Sequence, residues 1–277
     1  MHDKDTNIIF PTVNPTQAAW EDFRDAAQKW RIWLMLSYQE IKLRYRRSIL
    51  GPFWLTISMA ITVYSMGYLY GHLFHININE YFPHLVAGML AWSLISQTMI
   101  DLVDGFSQSD NLIKQIKLPY FLYIHKTVAR NFLIFFHNML VMIPVYFIFY
   151  DTSAVNWHAL LLIPGLIFIY FNALCYGMVC AMLGARYRDI SQIIKSLIQV
   201  VFFITPIMWK PEILPESKRF IALYNPFYSL VELIRAPLVG YSPSKLNICI
   251  ILLMTLVGIF ACAFLFISRR ARIIYWL

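Results

Sequence analysis

The sequence predicts an all-α integral membrane protein. It would have six transmembrane helices, an amphipathic interface helix ahead of them and short re-entrant helices before the last span. Three observations predict this. First, the 277 residues are 59% hydrophobic and only 14% charged, against about a quarter charged in soluble domains. Second, the apolar residues fall in long blocks, each near the ~20 residues that cross ~30 Å of hydrocarbon. Third, the net charge of +8 gathers in short segments between those blocks. That is a topology signal, unlike the single basic stripe of a nucleic-acid binder.

The blocks place spans at about 53–74, 85–103, 131–150, 159–183, 193–209 and 246–267. The fifth is shortest and contains Lys195. The whole chain, 1–277, reads as one transmembrane domain, with a bundle over about 53–267. The first 50 residues lack an apolar leader core, so insertion is expected to start at the first internal span. Residues 1–52, the 114–130 segment, the 186–195 junction and the tail after span six hold 18 of the 23 Lys and Arg. Loops 75–84 and 151–158 hold none, and the other five lie in 210–245. The bias puts both termini in the cytoplasm, with 210–245 the one discordant segment.

Ahead of span one, Trp20, Phe23, Ala27, Trp30 and Leu34 recur at helical spacing among charged residues. They predict an amphipathic helix over 16–34 that lies in the membrane interface. Between residues 211 and 243 stand five prolines, enclosing an apolar run, Phe227–Ile234, too short to span. It reads as a re-entrant or interfacial helix, or else as an amphipathic helix on the outer surface.

The chemistry is mostly that of exclusions. None of the ten glycines precedes a lysine, so the sequence has no phosphate-binding loop and no means of hydrolysing ATP alone. The four cysteines lie in apolar blocks as buried thiols. His72, His75 and His84 cluster near the first outer loop and read as hydrogen-bonding groups; no metal site is expected. His137 and Asn138 read as helix-to-helix hydrogen-bonding groups within span three. Asp101 and Asp104 read as helix-end or ion-pairing carboxylates ahead of a proton relay, because no span carries a midplane acid. Aromatics number 46. Most serve lipid and interface, and a subset would suit stacking on sugar rings.

The order of motifs then becomes specific. Arg44-Tyr45-Arg46-Arg47-Ser48-Ile49-Leu50-Gly51-Pro52-Phe53-Trp54 leads into span one. Leu112-Ile113-Lys114-Gln115-Ile116-Lys117-Leu118-Pro119, Arg130-Asn131 and His137-Asn138 follow. Arg186-Tyr187-Arg188-Asp189-Ile190, Pro206-Ile207-Met208-Trp209 and Tyr224-Asn225-Pro226 complete the set. This resembles the membrane subunits of bacterial ABC exporters for O-antigen and related lipid-linked polysaccharides, over nearly the whole chain. The resemblance implies a homodimer with two separate ATPase subunits in the bacterial inner membrane. No cofactor would bind this chain, ATP and Mg residing on the partner. The cargo would be an undecaprenyl-diphosphate-linked glycan. Trp20, Phe23 and Trp30, with Ser107, Asp110, Asn111, Leu112, Lys114, Arg186, Arg188 and Asp189, would contact the ATPase. Arg44, Arg46 and Arg47 would attract the lipid diphosphate or anchor the cytoplasmic headgroups. Tyr64, Tyr68, Phe168 and Tyr176 would line a channel. Trp209, Tyr224, Asn225, Pro226, Phe227 and Tyr228 would form a periplasmic gate within 211–243. Export of another polymer such as teichoic acid or capsule, or of small molecules, is the alternative. An enzyme acting on lipid-linked sugars stands further off, because no convincing set of acid, base or metal residues is present.

Overall fold

The computed structural model describes residues 14–73, 77–149 and 156–277, and every regular element among them is helical. His75 and the ends of the first and third spans at 74 and 150 lie outside the described residues.

Two helices precede the bundle: α1 (Pro15–Gln28) and α2 (Trp30–Arg44). Asn14 caps α1, its Oδ1 accepting from the Thr16 N–H at 3.1 Å, and Pro15 fills the first helical position. The expected single helix over 16–34 is therefore corrected to two helices that break at Lys29. The side packed against the bundle is not the tryptophan stripe. The buried side of α1 is Ala19, Asp22 and Ala26, and that of α2 is Ser37 and Ile41. Trp20, Ala27, Trp30 and Leu34 are exposed, and Phe23 is half-buried. Small side chains allow α1 close approach to its neighbours, and the indoles, too bulky for that seam, face outward.

The bundle consists of α3 (Phe53–Leu73), α4 (Ile78–Val103), α6 (Tyr120–Asn138), α7 (Met142–Phe149), α8 (Leu162–Arg186), α9 (Asp189–Ile204) and α12 (Lys245–Arg269). A short helix, α5 (Asp110–Gln115), links α4 to α6. Four helical stretches are long and apolar enough to cross a membrane: Ile78–Val103, Tyr120–Phe149, Trp157–Arg186 and Lys245–Trp276. The last three of them include short 3₁₀ turns. α3 carries no charged side chain over 21 residues but is rich in Tyr, Ser and Thr. α9, with 16 residues, is about 24 Å long.

Two span boundaries differ from the hydropathy reading. α4 begins seven residues early, because Asn77 caps a polar first turn that holds Asn79 and Glu80, with His84 in the next. α6 begins at Tyr120 and not near Asn131, so Lys126 and Arg130 belong to the helix. Their charges are matched by carboxylates of other helices, described below, and this lets a charged segment stay helical and buried.

α4 is the central element, packed on α3, α6, α7, α8, α9 and α11. Its crossing with α8 is tight. A Cβ at Gly184 would lie 2.0 Å from the Val103 carbonyl oxygen, so only glycine fits. Between α9 and α12 the chain makes two 3₁₀ turns, then α10 (Arg219–Leu223) and α11 (Pro226–Val239), and α13 (Ile273–Trp276) ends it. Asn225 caps α11, Pro226 opens it and Gly240 closes it in the left-handed conformation, φ 99°. With 14 residues, α11 is about 21 Å long. Every residue from Tyr228 to Leu238 is buried, against α4, α8 and α12. It is an enclosed helix and not one laid on an outer surface.

Candidate functional site

The chemistry-bearing residues gather at the two ends of the bundle. At the end that holds both described termini, Asp22 ties α1 to two spans. Its carboxylate accepts from the N–H groups of Tyr120 and Phe121, both at 3.1 Å, and so caps the start of α6 from another helix. Arg270 donates to it at 3.2 Å, which brings in the base of α12. Burial pushes the Asp22 carboxyl above its usual range, against the pull of those N–H groups and of Arg270.

Next to it lies a buried ion network. Glu40 of α2 accepts from Lys126 at 2.6 Å and from Arg130 at 2.7 Å. Arg130 also donates to Asp101 of α4 at 2.6 Å. Lys126 donates to the Ser109 hydroxyl at 3.0 Å, and Ser37 donates to the Lys126 carbonyl at 2.7 Å. Burial raises the Glu40 carboxyl, but Lys126 and Arg130 outweigh it and hold the group below its usual range. One cluster thus joins α2, α4, α6 and the turn that leads into α5. Asp104 pairs with Lys195 at 3.0 Å. Both acids of α4 are ion-paired, as the simpler sequence reading had it.

The segments singled out around this end come together. Ser107, Asn111 and Lys114 are exposed, and Asp110 and Leu112 are half-buried. Lys114 pairs with Asp110 at 2.8 Å and donates to the Leu277 backbone oxygen at 2.9 Å. Arg186, Arg188 and Asp189 are exposed, and Arg186 lies over the Trp276 ring at 5.6 Å. Arg44, Arg46 and Arg47 form an exposed basic turn between α2 and α3.

The aromatics marked for a channel are not brought to one wall within the chain. Tyr64 donates to the Val141 carbonyl at 2.7 Å and Tyr176 to the Met254 carbonyl at 2.9 Å, so both hydroxyls serve helix packing. Phe168 is partly buried against the core. Tyr68 is exposed and lies against the His72 ring at 4.4 Å, the two rings tilted. Tyr176 does share an apolar cavity of about 320 Å³ with Pro226 and Phe227, among α4, α8 and the start of α11. The helix-to-helix bond near His137 runs through its carbonyl, which accepts from Thr56 at 3.0 Å; the imidazole turns back on Leu133.

At the opposite end, Asn225 donates to Thr205 at 3.0 Å and fixes α11 to the turn after α9. Tyr224 is exposed and Trp209 half-buried, and Phe227 meets Trp92 edge-on. Beneath them is a group that the sequence did not reveal. Arg235 is fully buried, donates to Glu232 one turn earlier, and lies over the Tyr228 ring at 5.4 Å. It donates also to the Pro206 carbonyl at 2.7 Å and to His84 Nε2 at 3.1 Å. The Tyr241 hydroxyl donates to the other Glu232 oxygen at 3.2 Å. The i, i+3 spacing of Glu232 and Arg235 was the available signal. Counting Arg235 as a loop charge concealed it. His72 and His84 have separate partners, and no three metal-ligating side chains converge among the described residues.

Helices long and apolar enough to cross a membrane, with buried ion pairs at both ends of the bundle, are the architecture of an integral membrane protein. The chain belongs to the ABC-2 type transporter family, whose model matches residues 31–239. It is similar to an O-antigen export system permease protein, RfbA, of Klebsiella pneumoniae, 21% identical over 72% of this chain and 76% of the relative. A protein of the same name from Myxococcus xanthus is 23% identical over 86% of this chain and 92% of the relative.

Proposed function

We propose that this chain is the transmembrane subunit of an ATP-driven exporter. It would move an undecaprenyl-diphosphate-linked polysaccharide of the O-antigen type from cytoplasm to periplasm. The family and the printed names of the relatives support this. So does one structural observation: the exposed segment 107–117 is bonded, through Ser109 and Lys126, into the network that binds α2, α4 and α6. A push on that segment reaches three bundle elements through charge-assisted hydrogen bonds, which is what a subunit driven from outside needs.

In this reading all six helices cross, α3 and α9 included. The chain works as a homodimer with two ATPase subunits in the inner membrane. The end with the termini faces the cytoplasm. The discordant charge in 210–245 weakens once Arg235 is placed inside the buried helix α11, because the bias is counted over Lys and Arg in loops. The ATPase meets Trp20, Phe23 and Trp30, the 107–114 segment, and Arg186, Arg188 and Asp189. Arg44, Arg46 and Arg47 draw the lipid diphosphate to the membrane surface through guanidinium forks. Two copies together supply the aromatic wall for the glycan, and 211–243 gates its far end as a re-entrant element. A membrane enzyme is disfavoured because Asp101, Asp104 and Glu232 are each held by a cation.

Deletion of the chain in the bacterium that carries it tests the proposal. Lipid-linked glycan is expected to accumulate on the cytoplasmic leaflet and to disappear from the cell surface. Undiminished surface glycan would overturn it.

A further inference from the structure

A cavity of about 690 Å³ opens at the end of the bundle that holds the start of α4 and both ends of α11. Its size lies within the ~300–1,000 Å³ typical of small-molecule sites. Asn79, Glu80, His84, Glu212, Tyr241 and Ser242 are among its lining residues.

The charges in it nearly cancel. Glu80 lies 4.0 Å from Lys210, and Glu232, at the cavity's base, is paired with Arg235. The Glu212 carboxylate has no cation within ion-pair distance among the described residues. The site therefore holds a small excess of negative charge and would repel a diphosphate. It offers carboxylate and amide oxygens as acceptors, a few donors, and the rings of Tyr228, Tyr241 and Phe149 as apolar walls.

One ring nitrogen on the cavity wall is left without a protein partner. His84 is only 7% exposed, and its Nε2 accepts from Arg235. A guanidinium is a donor only, so Nε2 must present its lone pair and the ring proton must sit on Nδ1. That N–H has no hydrogen-bond partner among the described residues, and the ring lines the cavity. The atom is open to the cavity, where water or a ligand hydroxyl can accept from it.

We infer that this cavity, present in each copy of the chain, binds a neutral, hydroxyl-rich stretch of the exported glycan. This rests on the exporter reading and names the substrate moiety held at the far side of the membrane. Hydroxyls accept from His84 and donate to the carboxylates, while the C–H faces of the sugar rings lie on the tyrosines. The lipid diphosphate is excluded by charge and is handled at the opposite end of the bundle.

The test is saturation-transfer NMR on the intact complex in lipid nanodiscs. The probe is the polysaccharide chain cut by mild acid from the producing bacterium's own surface glycolipid, with inorganic pyrophosphate as competitor. Wild type is expected to show transfer that pyrophosphate does not compete away. Ser242→Trp, which plugs the cavity from an exposed position, is expected to weaken binding by about tenfold or more. Glu212→Gln, on an exposed turn, is expected to weaken it too, and it keeps the test open if the tryptophan disturbs folding. Transfer unchanged in both variants, with the ATPase still co-purifying, would overturn the site and leave the exporter reading standing. Competition by pyrophosphate would overturn the neutral-glycan assignment. Absence of an ATPase partner from wild type would overturn both readings.

Discussion

Glu232→Ala is expected to cost about 3–5 kcal/mol, the penalty for leaving one member of a buried ion pair unmatched. Arg235 has no route to water: it is fully buried, and its other partners are a carbonyl, an imidazole and a ring. None of these carries the opposite charge. The change also frees the Tyr241 hydroxyl from its acceptor. The expected result is a large fall in the thermal unfolding midpoint in detergent and loss of protease protection across α11. The double replacement Glu232→Leu with Arg235→Met separates charge from packing. Apolar residues of similar volume in place of a buried pair are often neutral or stabilising, so the double variant should recover most of the loss. A double variant as unstable as Glu232→Ala would show that the pair is not what holds α11.

Glu40→Ala is expected to act on coupling more than on stability. It removes the acceptor shared by Lys126 and Arg130 and leaves Lys126 with only the Ser109 hydroxyl. Because Glu40 is about one-third exposed and Arg130 keeps Asp101, the cost should fall to about 2–3 kcal/mol, below that of a fully buried pair. ATP hydrolysis by the complex is expected to continue while export falls, because the 107–117 segment loses its charged link to α2 and keeps only the path through Ser37 and Lys126. Acid should mimic the variant. The folded Glu40 carboxyl sits below its ordinary range, so its stabilisation is complete above the unfolded value of ~4.3 and is lost as pH falls toward the folded one. Hydrogen exchange on α2 should show this loss of protection on acidification in wild type and no such step in Glu40→Gln. An identical step in both would place the acid response elsewhere.

Hydropathy located the cores of the four long apolar helices because lipid-facing blocks need only be apolar and long. It failed at the start of α6, where Lys126 and Arg130 resemble a loop until Glu40 and Asp101 are seen to neutralise them. Those acids lie far away in sequence, and no local pattern shows the pairing. The side of α1 that packs on the bundle was not legible for a related reason. Periodicity marks the largest apolar residues as the packed stripe, yet close helix contact favours Ala19 and Ala26 and leaves Trp20 outside. The proline-rich segment was legible as a short apolar helix, but not the Arg235 network inside it. Arg235 and Glu232 carry the polarity of a loop in any count of composition. The segments 107–117 and 186–189 were singled out from motif order, and the structure sets both at the same end as the terminal residues Trp276 and Leu277.

The central claim is that this chain is the membrane half of an ATP-driven machine. Purification from the native membrane in mild detergent, with subunit ratio by native mass and ATPase activity, tests it most directly. A co-purifying ATPase at a 2:2 ratio, with hydrolysis lost once the chain is stripped of it, is the predicted result. A chain that purifies with no ATPase, while glycan export proceeds without ATP, would contradict the account.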